Sequence, residues 1–149
     1  MKYLVIVFVF LLGEFSVQAA KGMVKVESKF SVSETADRLE AVLKNKGMTV
    51  FNRIQHSESA EKVGIELRET ELIIFGNPKA GSPLMKCQQS LAIDLPQKAL
   101  IWKDENNKVW LSYNDLTYLA ERHSIVGCDK ALLKVNLALD NLSKAATSK

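Results

Sequence analysis

From residue 23 to residue 30 the chain alternates. Met23, Lys25, Glu27 and Lys29 fall on one side, and Val24, Val26, Ser28 and Phe30 on the other. A period of two belongs to a half-buried strand, so residues 24–30 are expected to form the first one. The period then changes. In SVSETADRLEAVLKNKGM, Val32, Ala36, Leu39 and Val42 or Leu43 recur every three to four positions and share one helical face. Ser31 and Glu34 make a capping box at its start, Lys44 and Lys46 suit its negative end, and Gly47 can close it in the left-handed conformation.

MTVFNRI reads as a second strand and SAEKVGIEL as a short helical or irregular passage. In TELIIFG, Leu72, Ile73, Ile74 and Phe75 leave no polar face. This predicts a central strand covered on both sides; a buried helix has the same pattern, but Gly76 and Pro78 favour the strand. GNPKAGSPLM then connects it to a short helix in PLMKCQQSLAI, with Pro83 in the first turn and the sequence Asp94-Leu95-Pro96 ending it. KALIWKDENNKVWLSY alternates, turns at residues 105–107 and alternates again, which is a hairpin. Asn114 or Asp115 can cap LTYLAERH. The last helix, DKALLKVNLALDNLSK, carries Leu132, Val135, Leu139 and Leu142 on one stripe, and the tail AATSK is expected to fray. Segregated strands with two substantial amphipathic helices predict an α+β two-layer domain, an antiparallel sheet with helices on one face.

The first twenty residues change the picture of where this domain works. Lys2, an unbroken apolar run from Tyr3 to Leu12, and small residues at Ala19 and Ala20 have the pattern of a secretory signal, with residues 1–20 removed and 21–149 forming one domain. Glu14 stops the run short of the roughly 18 apolar residues that a membrane span needs. Stable membrane insertion is therefore not expected after cleavage, and the location is periplasmic or secreted. A net charge of +3, with bases scattered among acids, makes no basic stripe, so nucleic acid is not an expected partner. In an oxidising compartment the only two cysteines, Cys87 and Cys128, are expected to pair.

TELIIFGNPKAGSPLM, the later pattern IDLP.KALIW.DE...VWLSYND..YLAERH and the earlier GMTVFNRI.H occur in this order. Together they resemble the bacterial domain of unknown function (DUF) 302 family over about residues 24–123. The resemblance implies a small α+β domain similar to the TATA-box-binding-protein fold and a possible homodimer. It implies no activity.

Candidate chemistry gathers at the ends of elements. Residues 76–82 supply glycines, Asn77, Lys79 and a hydroxyl beside a helix start, the ingredients of an anion site. They do not make a P-loop, because Lys79 precedes Gly81 rather than following it. The alternative is a rigid connection in which Gly76, Pro78, Gly81 and Pro83 serve geometry and Lys79 alone lacks an architectural reason. His56 and His123 have no metal-ligand spacing with each other or with the cysteines, and no cofactor is expected. Asp94 and Asp104 occupy turn positions. The leading expectation is a non-enzymatic domain that binds a small ligand or a protein, with a polar site among Asn77, Lys79, Asn114, Arg122 and His123. An enzyme using His123 or His56 as acid or base, and a purely structural dimer, are the rivals.

Overall fold

The structure is a computed structural model that describes residues 20–149; the secretory signal expected over residues 1–20 lies, but for Ala20, outside the described residues. A five-stranded antiparallel sheet has the order β1-β5-β4-β3-β2. Its strands are β1 (Met23–Ser28), β2 (Thr49–Gln55), β3 (Thr70–Gly76), β4 (Gln97–Lys103) and β5 (Val109–Asn114). The helices are α1 (Val32–Asn45), α2 (His56–Glu61), α3 (Pro78–Cys87), α4 (Leu116–Arg122) and α5 (Asp129–Thr147), with a 3-10 turn at Gln89–Ile93. The α+β two-layer arrangement expected from the pattern is the observed one.

Strand periodicity sets the core. Ile73 and Phe75 of β3, Ala99 and Ile101 of β4, and Leu111 and Tyr113 of β5 are buried with Ala36, Leu39 and Leu43 of α1 and Leu139, Leu142 and Ala146 of α5. At α1 the Ser31 hydroxyl accepts from the Glu34 amide at 3.2 Å, and Gly47 beyond its end has φ +69°. The β3 strand is interior, between β4 and β2, but its faces differ: Ile73 and Phe75 are buried, whereas Leu72 and Ile74 are half-buried. Leu72 and Ile74 share the opposite face with Ile54, Leu100, Trp102 and Trp110. On that face the Lys25 ammonium lies 4.6 Å from the Trp102 ring centre and 3.9 Å from that of Trp110.

The tail departs from expectation. Rather than fraying, AATSK extends α5 through Thr147, where Ala146 and Thr147 are buried. Arg38 of α1 supplies the reason. Its Nε donates to the Ala146 carbonyl at 3.1 Å and its Nη2 to the Ser148 carbonyl at 2.6 Å, satisfying groups that a helix end leaves open. Sequence periodicity cannot register a cap that arrives from a hundred residues upstream.

Polar groups fix the two exposed ends of the sheet. Arg53 of β2 reaches the buried Glu71 carboxylate of β3, and its Nη1 donates to Asp37 of α1 at 2.5 Å. Hydrogen bonding to Glu71 raises the already high Arg53 pKa further, so this guanidinium is a permanent cation. In the hairpin, Asn107 takes φ 61°, as a turn built on Asn requires, and Asp104 accepts from the Trp110 indole at 2.7 Å. That indole bond, ahead of the Lys108 and Asn106 amides, lowers the Asp104 pKa. A lowered carboxylate pKa gives stability that is complete above the unfolded value and is lost as pH falls through the folded one. The Trp110 indole N–H resonance should therefore shift on acidification with a midpoint below 3.8, the ordinary Asp104 value. A midpoint at or above that value contradicts the assignment.

Candidate functional site

The segment GNPKAGSPLM is not a loop before a helix; it is the helix. Asn77 is extended at φ −140°, and its side chain accepts from the Lys79 amide at 2.9 Å, with Pro78 filling the first helical position. The start thus lies at Pro78 and not at Pro83, which sits inside α3. The expected turn role of the glycines falls with it. Neither Gly76 nor Gly81 has a positive φ, and a Cβ built on Gly81 would meet Leu95 Cδ1 at an ordinary 3.7 Å. What the sequence could not show is that an Asx cap six residues upstream of Pro83 outweighs a proline as a start signal.

Between α3 and the first half of α5 the core is not filled. Leu84 anchors α3 and Leu139 anchors α5, each buried, while Leu132 and Val135 are only partly buried. The space between is a cavity of about 350 Å³. Interiors rarely leave voids larger than a water, and this one is of the size that small-ligand sites have. Its walls are apolar: Met48, Phe75, Leu84, Met85, Leu95 and Leu139 among others. Phe51 stands at the same cavity because of a bulge. The β2–β3 register shifts between Val50 and Asn52, leaving Phe51 the extra residue, 55% exposed, where a regular strand would pair it.

One wall group is out of keeping. Gln97 opens β4 on the helix-facing side, opposite Phe75, and is 7% exposed. Its Nε2 is buried and has no hydrogen-bond partner. A half-turn of the amide exchanges nitrogen and oxygen, so the unmet group beside the cavity is either a donor or an acceptor. An unmet buried amide costs about 1 to 3 kcal/mol. A ligand carrying a polar atom would recover that.

Beside the cavity runs a groove lined by Asn77, Lys79, Lys130 and Lys134, with Ala80, Pro83, Ala131 and Val135. Asn77, Ala80, Lys134 and Val135 belong to both hollows, so the two adjoin. Cys87 at the end of α3 and Cys128 just before α5 have Cα atoms 6.5 Å apart, within bridging distance. They join the two helices that wall the cavity.

The remaining sequence candidates lie elsewhere. His123 follows α4, and its ring is held on both sides: Nε2 faces Asp94 Oδ2 at 2.6 Å and Nδ1 faces Ser90 Oγ at 2.9 Å. Arg122 donates to the other Asp94 oxygen at 3.2 Å, and Gln88 Nε2 to the His123 carbonyl at 3.1 Å. Hydroxyl, imidazole and carboxylate in series can activate a nucleophile. Here, though, the Arg122 cation shares the carboxylate, none of these residues lines the cavity or groove, and all four bonds tie residues 88–94 to residues 122–123. The cluster is a clamp between two short segments. Asn114 pairs with Met23 at the end of β5 and lines neither hollow. His56 starts α2 and is exposed. Among the described residues, no three His, Cys, Asp or Glu side chains stand where they can hold a metal ion together.

Of the sequence candidates, Asn77 and Lys79 line the hollows, together with Gln97, Phe51, Lys130 and Lys134, which the sequence did not single out. Only tertiary folding joins them. Asp94, read as a turn residue, turns out to hold His123 and Arg122.

The likeness to known proteins covers most of the chain. A solved structure, "Crystal structure of uncharacterized conserved protein DUF302 from Bacillus stearothermophilus", superposes with a TM-score of 0.77 over 85% of this chain and 99% of that one, at 17% identity, which speaks for the fold alone. Over 104 residues, 70% of the chain, the sequence is 49% identical to proteins named Fluoride-specific ion channel FluC 1 of Brucella suis biovar 1 (strain 1330) and of Brucella abortus biovar 1 (strain 9-941). The match takes in only 41% and 38% of those proteins. Residues 24–142 match the family described as Domain of unknown function DUF302. With that match spanning all five strands and most of α5, the chain belongs to the DUF302 family.

Proposed function

We propose that this domain binds a small, largely apolar ligand in the cavity between α3 and α5, in an oxidising compartment outside the cytoplasm, and that it performs no catalysis on it. One observation carries the reading. An apolar cavity of about 350 Å³ has a single unmet amide, that of Gln97, in its wall. Such a combination recognises a hydrocarbon body with at least one hydrogen-bonding oxygen. Met48 and Met85 suit it, since unbranched thioether side chains adapt to the shape of what they contact. The cysteine pair at the helix ends supports the compartment, because disulfides persist where the surroundings are oxidising. Catalysis finds little support. The hydroxyl–imidazole–carboxylate series lies off the cavity.

The test is isothermal titration with 1-decanol, comparing the protein with its Ala138→Phe variant. Ala138 lines the cavity, so a phenyl ring there should occupy it. Decanol should bind the wild type and lose binding at least tenfold in the variant, whose melting temperature should hold or rise. Equal binding by both proteins, or none by either, counts against the cavity as the site.

A further inference from the structure

Resting on that reading, we propose that the ligand is a single-chain anionic amphiphile, with its hydrocarbon part in the cavity and its anionic head among Lys79, Lys130 and Lys134. The hollows adjoin at Asn77, Ala80, Lys134 and Val135, so a molecule seated in the cavity with its end at these residues brings a head group beside the lysines. Their chemistry is divided as an amphiphile's is. Carbon makes up nearly all of the first, and three lysines border the second.

The arrangement of the lysines is what a head group explains. Lys130 and Lys134 stand four residues apart on α5, on the same helical face. Elsewhere the chain uses this spacing for attraction: Glu40 with Lys44 at 2.6 Å, and Asp140 with Lys144 at 2.7 Å. At the groove it sets like charges together, which destabilises a helix. Lys79 adds a third cation from the first turn of α3, where the helix dipole favours the opposite sign. No Asp or Glu lines the groove, and among the described residues none of these three lysines forms an ion pair, whereas Lys44, Lys103, Lys108 and Lys144 each do. Cations gathered without an acid, next to an apolar cavity, form a receptor for an anionic head whose tail is close by. With the head at the lysines, Gln97 remains to meet a second oxygen farther along the molecule.

The experiment compares decanoate with 1-decanol, which differ only in the head, on the wild type and on Lys79→Gln/Lys130→Gln, the two lysines that line the groove and not the cavity. Decanoate affinity should fall about fivefold in the double variant, and also in the wild type at high salt, because surface charges act through screened attraction. Decanol affinity should not change, which also shows that the variant's cavity is intact. Equal loss for both ligands, or loss for neither, overturns the head-group assignment while leaving the cavity reading standing. Failure of both ligands to bind the wild type overturns both. Vesicles of phosphatidylglycerol provide the last arm. Lysine-dependent sedimentation with vesicles, without binding of free decanoate, means that the lysines read a membrane surface and overturns the proposal.

Discussion

Replacing both Cys87 and Cys128 by serine should lower the melting temperature by about 10 to 20 °C and weaken decanol binding as well. The pair closes a loop with a sequence separation of 41. Closing a loop of that length removes unfolded-state entropy worth about 4 kcal/mol in the chain-entropy model, though strain and residual structure often reduce it. In a domain of this size each kcal/mol moves the midpoint by roughly 3 to 5 °C. The effect on binding has a separate cause. The bridge fastens the end of α3 to the start of α5, and these two helices wall the cavity. Thiol labelling of the denatured, unreduced protein should find no reactive cysteine. A variant that melts within a few degrees of the wild type, or two labelled thiols, contradicts the bridge.

Arg53→Met should destabilise by about 3 to 5 kcal/mol, the range for removing one partner of a buried ion pair. Glu71 is 4% exposed, and Arg53 is the only cation paired with it among the described residues. Without Arg53 that carboxylate stays buried and uncompensated. Asp37 and Glu40, the other acids on Arg53, reach solvent and should tolerate the change. Adding Glu71→Leu to Arg53→Met should recover most of the loss, because an apolar pair can replace a buried ionic one at little cost. Chemical denaturation of the two single variants and the double variant measures this. If the double variant is less stable than Arg53→Met alone, the loss does not come from a stranded charge.

The two predictions differ in how far a reader of the sequence could have foreseen them. An even cysteine count behind a leader-like segment was enough to suggest the bridge. Nothing local marked Arg53 or Glu71 as partners. Burial of a charge pair is a tertiary event, and period analysis sees only what one element presents to its own axis. The same limit applied to the site. Strand alternation in β1, β4 and β5 and the stripe of α5 were readable because each follows from a single period, so the two-layer fold followed. The cavity needed Phe51 from a bulge, Gln97 from a strand start and Lys134 from a helix more than thirty residues later. Each is ordinary in its own neighbourhood. Gly81 and Pro83 misled for the opposite reason: both are turn residues by habit, yet the Asn77 cap and Pro78 carry the helix through them.

The central claim, that the hollow between α3 and α5 is the ligand site, is tested most directly by nuclear magnetic resonance. Titration with 1-decanol can be followed at the methyl groups of Met48 and Met85 and at the side-chain amide of Gln97. These signals should shift together and saturate, with contacts from decanol protons to both methionine methyls and a downfield move of the Gln97 amide protons as they gain an acceptor. Saturable shifts confined instead to Trp102, Trp110 and Leu100 on the opposite sheet face, with the Gln97 amide unmoved, would contradict it.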